Sequence, residues 1–173
     1  SFDAIYDANK KMNRALIGAA LSLGANVDIV DFPGYAPLIN DDNMIDLCKD
    51  TAEIVMPGKY TYDDKIGSGS TDMGDLSCIM PVVHPYAGGA SGTSHGNDYQ
   101  ISDPIAACVT SAKFQLEMLY LLLKDNAKRA EKIIKEFNPM FKSKEEYFEY
   151  IDAFSREGDR ITYKDDIAQV NLK

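Results

Sequence analysis

The sequence predicts an α/β chain, on three observations. Apolar residues recur at helical spacing in long stretches. Short apolar runs of strand character lie between those stretches. Proline, glycine and capping residues mark the boundaries.

Taken in order, Ile5, Ala8, Met12, Leu16, Ala19 and Leu23 share one helical face, and Gly24 stops that helix. Val27, Ile29 and Val30 mark a strand over 27–31. Phe32-Pro33-Gly34-Tyr35-Ala36-Pro37 breaks regular structure and reads as a link between two units. Asp41 or Asp42 caps a second helix carrying Met44, Ile45, Cys48, Ala52 and Val55, which Pro57-Gly58 ends. Strands are expected at 60–62 and 78–83. Ser102-Asp103-Pro104 starts a helix to about Leu123, with Ile105, Val109, Ala112, Leu116, Leu119 and Leu123 on one face. From Lys124 to Asp166 nearly half of the residues are charged. That region reads as a helical surface extension. Its Ile133-Ile134 helix ends at Asn138-Pro139, and Ser143-Lys144-Glu145-Glu146 has the form of a capping box.

The 173 residues suit one domain, or one domain and a fragment. A net charge of −9 argues against a phosphate-neutralising nucleic-acid surface. No uninterrupted apolar run reaches about 18 residues, so no membrane span is expected. Ser1-Phe2-Asp3 does not open a signal peptide. Cys48, Cys78 and Cys108 are odd in number and each lies in an apolar run. They read as buried, reduced thiols of a cytoplasmic protein.

Chemistry concentrates between Ile66 and Pro104, which holds seven of twelve glycines and both histidines. By spacing alone, His95 is either a metal ligand or a solvent-facing loop residue. Gly67-Ser68-Gly69-Ser70-Thr71-Asp72 is either an anion cradle of backbone N–H groups or a plain connector. It carries neither a Walker lysine nor a dinucleotide fingerprint. A serine hydrolase is disfavoured, because Ser70 lacks the Gly-x-Ser-x-Gly frame. Asp72 and Asp75 share a face only if their segment is helical.

The order of these motifs carries a resemblance. Gly18-Ala19-Ala20-Leu21-Ser22-Leu23-Gly24-Ala25-Asn26-Val27-Asp28-Ile29 is followed by Pro33-Gly34-Tyr35-Ala36-Pro37-Leu38. Then come Gly69-Ser70-Thr71-Asp72-Met73-Gly74-Asp75 and Ser94-His95 before a helix. Over about residues 5–125 the chain resembles the C-terminal part of the dinuclear-metal amidohydrolases of the aminoacylase and carboxypeptidase G family. The auxin-conjugate and aminobenzoyl-glutamate hydrolase subgroup is the nearest in pattern.

The resemblance implies the C-terminal half of a phosphorylase/hydrolase-like catalytic domain over 33–125. The last helix and strand of an α+β lid (dimerisation) domain would precede it over 1–32, and a charged extension would follow over 126–173. His95 stands at the position of the last metal ligand. Gly69, Ser70, Thr71, Asp72 and His84 lie on the substrate side. Two zinc or manganese ions and a small amide substrate are implied for the intact enzyme. The catalytic glutamate and the other ligands belong upstream, so no catalytic residue is expected in this chain, nor a tightly held metal. Gly96-Asn97 after the histidine departs from the family's usual Ser-Pro or Thr. A different class of reading is a non-catalytic binding module that kept the fold without its metal site. In either case 4–32 would expose Ile5, Met12, Leu16, Val27 and Ile29. That implies self-association or pairing with the missing N-terminal half, and no nucleic acid or membrane partner.

Overall fold

Ser1 caps the first helix, accepting a hydrogen bond from Ala4 N at 3.4 Å. The computed structural model describes residues 1–63 and 69–172. It combines helices with two two-stranded antiparallel sheets, which agrees with a mixed α and β chain at the coarse level. The described chain divides into two units. One contains Ser1–Pro37 and the chain from Phe141 onward; the other is Leu38–Met140.

In the first unit α1 spans Phe2–Ser22. It ends in a Schellman motif: Gly24, at φ +64°, donates to Leu21 O, and Ala25 N donates to Ala20 O. Residues 27–31 do not form the expected regular strand. They make only isolated bridges, Asp28 with Asp159 and Asp31 with Arg156. Ile29 is nevertheless buried, packed with Ile17 of α1 and with Ile161. It is therefore not the exposed apolar residue expected, whereas Ile5, Met12 and Leu16 are exposed. Asn26 ties the turn to the C-terminal segment: its Oδ1 accepts from Val27 N and Ile161 N, and its Nδ2 donates to Asp159.

Helix α6 (Lys144–Asp152) starts at Ser143, whose hydroxyl accepts from Glu146 N. Glu146 reaches back to Lys142 N at 2.7 Å, one residue before the usual capping-box partner. Edge-on ring contacts join α1 to this helix and to the turn after it, Phe2 to Tyr150 and Tyr6 to Phe154, both at 5.3 Å. Strands β3 (Ile161–Lys164) and β4 (Ile167–Val170) form a hairpin that the sequence reading did not find.

In the second unit α2 (Asp42–Val55) is capped by Asp41 and buries Leu47, Thr51 and Ala52. It packs on α4 (Ser111–Leu123), with α5 (Lys128–Glu136) alongside α4. Arg129 of α5 pairs with Asp50 of α2 at 2.8 Å. The expected strand at 60–62 is irregular chain. The expected strand at 78–83 is also absent, because a short helix α3 (Met73–Ser77) runs straight into it. Cys78 and Val82 are still buried, as the apolar run implied.

The helix expected after Pro104 begins with a π-helical stretch, Ile105–Thr110. Its stripe Ile105, Val109, Leu116, Leu119 and Leu123 faces outward, while Leu121 on the other side is buried. A helix apolar on both faces leaves one uncovered when it packs on one side only. Ile105–Leu123 has a mean hydropathy of 1.3, so by length and composition alone it meets the requirement of a bilayer span, contrary to expectation. Lys113 and Glu117 in its middle oppose that use. All three cysteines are free, but only Cys78 is fully buried and Cys108 is exposed.

Candidate functional site

The chemistry-bearing segments all lie on the second unit. Ser77 holds α3 against the entry to α2: its hydroxyl donates to Gly74 O at 2.6 Å and accepts from Ile39 N at 3.2 Å. Beside it, Asp41 N donates to Val82 O, and His84 N donates to the Asn40 side chain at 3.1 Å. These bonds pin 82–84 along the N-terminus of α2. The His84 ring stacks on Tyr86, with centroids 5.8 Å apart and planes 22° apart. Its Nδ1 is buried and has no hydrogen-bond partner among the described residues. Such an atom is uncommon, because burying a polar group unpaired costs about 1–3 kcal/mol.

His95 sits on a hairpin closed by β1 (Ala90–Ser91) and β2 (Gln100–Ile101). The loop is wound tightly around glycine. A Cβ on Gly92, at φ +97°, would collide with the Asp98 carbonyl. Gly96 N donates to Thr93 O at 2.7 Å, and the Asp98 carboxylate accepts from Thr93 N. Within this frame His95 takes a left-handed backbone, φ +62°, and its side chain is exposed. A histidine held there costs about 1–3 kcal/mol, so the loop fixes its position against local preference. Gly89 anchors the hairpin to the next helix, its carbonyl accepting from Ser102 N and Asp103 N. Asp103 then caps that helix through Ile105 N and Ala106 N, both at 3.0 Å.

The glycine-serine segment falls only partly within view, because 64–68 lie outside the described residues. Gly69 and Ser70 are exposed and irregular. The Thr71 hydroxyl donates to Asp72 Oδ1 at 3.1 Å. Asp72 is the N-cap residue just before α3, with helical φ and ψ, and Asp75 follows within the helix, so the helical condition for a shared face is met. Among the described residues, no three of His, Cys, Asp and Glu come together to hold a metal ion. His95 thus offers a single imidazole, and the residues present do not by themselves make a dinuclear centre.

The sequence reading missed two residues that shape this region, Asn40 and Asp98. Both are short amide or acid side chains in loops, a type that commonly bonds nearby backbone. No family model, no curated protein and no solved structure matches the chain.

Proposed function

We propose that this chain is the C-terminal part of a metal-dependent amidohydrolase that cleaves the amide bond of an N-acyl amino acid or small peptide. The carrying observation is the placement of two histidines on one unit. His95 is held in a strained backbone at an exposed, glycine-wound loop before a helix, and His84 has a buried, unfilled Nδ1. In this reading His95 gives one neutral imidazole to a pair of zinc or manganese ions whose remaining ligands lie in the upstream half. When bound, the ions supply an activated water. Thr71, Asp72, Ser70 and Gly69 orient the substrate's amide or carboxylate, and His84 Nδ1 hydrogen-bonds it. No proton-transfer step belongs to residues of this chain.

The finer architecture is part of the same proposal. The second unit serves as the back half of the catalytic domain, and α1 with 27–31 ends the lid. The uncovered apolar face of α4 supports this, since a patch of that kind on a soluble protein marks an interaction surface. Three free cysteines support a reducing, cytoplasmic setting.

The experiment uses the full-length gene product. His95→Ala is expected to lower kcat/KM by about a hundredfold or more and to reduce bound metal, since even residues supporting a ligand contribute about 10–100-fold. His84→Ala is expected to raise KM at unchanged metal content. If hydrolysis and metal content both survive His95→Ala, the ligand assignment is wrong. A wild-type protein that binds N-acyl amino acids without hydrolysing them would instead be a binding module on this fold.

A further inference from the structure

We propose that the first unit carries a second site, unrelated to the histidines, that binds a phosphate-class dianion in a cleft beside α1. On the inner face of α1, Asn9 and Asn13 are half-buried between Tyr6 and the core residue Ile17. The helix's apolar residues Ile5, Met12 and Leu16 face solvent. Tyr6, Asn9, Lys10 and Asn13 fall on one helical face and line a cleft together with Arg156 and Arg160. Polar side chains half-buried on an inner face are the informative kind of exception to hydrophobic burial.

The charge in this cleft runs against the composition of the chain. Among the described residues three cations line it (Lys10, Arg156 and Arg160) against one carboxylate, Asp31, a local excess of positive charge in a chain of net −9. Asp31 already accepts from Asn13 Nδ2 at 2.7 Å and is tied by its backbone to Arg156. Lys10 and Arg156 form no ion pair among the described residues. Lys10 Nζ lies 3.8 Å from the centre of the Tyr6 ring, so the two are held as one face. Both cations lower the Tyr6 phenol pKa, Lys10 first by hydrogen bonding. Arg160 is only 6% exposed and so brings a buried guanidinium to the lining.

Guanidinium forks and amide donors match a tetrahedral oxyanion, and charge-assisted bonds of this kind are about twice as strong as neutral ones. Lys10 and Arg156, the two lining cations with no ion pair among the described residues, favour a dianion over a monoanion. Phe154 and Ile17 beside the cations give the site apolar walls that strengthen the attraction.

The test is calorimetric titration of the whole chain with inorganic phosphate at constant ionic strength. One site is expected. Binding should weaken about tenfold in Lys10→Met and in Arg156→Met. Lys49→Met, a cation on the other unit, should bind as wild type. Acetate should bind about tenfold more weakly than phosphate. A second measurement needs no variant: phosphate should protect Lys10 from acetylation in the wild type, read by mass spectrometry, and equal protection of Lys49 would mean only diffuse screening. Phosphatidic acid vesicles should protect Lys10 no better than phosphatidylcholine vesicles. No heat beyond that of chloride, equal binding of acetate, an equal loss in Lys49→Met, or protection by the anionic vesicles alone would each overturn the proposal.

Discussion

Single side chains carry the steepest consequences. Leu47 is fully buried on α2. Leu47→Ala removes its packing and leaves a cavity, so urea unfolding should show a loss of about 2–5 kcal/mol. Cys48 beside it is raised to about 11 by desolvation, from an ordinary 9.0. In the unfolded chain this thiol ionises near 9.0, while in the folded protein it stays protonated until about 11. The stability it contributes is therefore complete below pH 9.0 and lost as pH rises from there through about 11. Cys78 shifts in the same direction, by burial first and the Asp75 charge second. Midpoints of denaturation should fall over that alkaline range, and Cys48→Ser should flatten the decline. At pH 8 a thiol reagent should label Cys108, which is exposed, well before Cys48 or Cys78. Simultaneous labelling of all three would contradict the burial described above.

Helices and hairpins show which kinds of order the sequence displays. Asp103→Ala removes a cap whose one oxygen accepts from two backbone N–H groups, and should cost about 1 kcal/mol in thermal unfolding. Gly92→Ala should do more, because its Cβ has no room and its φ is positive. A clear outcome is loss of the hairpin's amide-exchange protection between Ala90 and Ile101; unchanged protection would show that the loop is wound by something else. Caps were legible because they are local. Ser143, Asp41 and Gly24 act on backbone within a few residues, so their types alone mark the ends of helices. Strand order was not legible, because partners lie far away. Residues 27–31 are apolar enough for a regular strand, yet Asp28 and Asp31 meet 156–160 at isolated points only. The β3–β4 hairpin was hidden by the surrounding charge. Its signal was Ile161-Thr162-Tyr163-Lys164 alternating up to Asp165-Asp166, with Asp165 at φ +54°. For the candidate site, the sequence displayed the histidines and glycines. It could not display Asn40 under His84 or the left-handed backbone at His95, which arise from packing and loop closure.

At the scale of the whole molecule, uncovered apolar surface governs behaviour in solution. Ile5, Met12 and Leu16 form an outward stripe on α1, 45–60% exposed. As part of the proposed function we expect association through this stripe, either with a second copy or with an upstream half. Light scattering at micromolar concentration should show species larger than one chain. Met12→Glu with Leu16→Glu should return them to monomers without loss of helicity by circular dichroism, because neither side chain belongs to the core. A wild-type chain that is already monodisperse and monomeric would remove the basis for that expectation.

The arrangement of the two units along the chain has a consequence for synthesis. Leu38–Met140 is continuous, whereas the first unit joins Ser1–Pro37 to residues from Phe141 onward, among them Tyr150, Phe154 and Ile161, on which α1 packs. The ribosome therefore delivers everything the second unit needs before it delivers Ile161, against which Ile17 and Ile29 pack. During translation, at about 5–20 residues per second, α1 must wait several seconds for its C-terminal partners while the later unit becomes able to fold first. Chains stalled once 140 has cleared the exit tunnel should resist protease within α2, α4 and α5 yet be cut within 2–31. Protection of 2–31 should appear only after β4 has emerged.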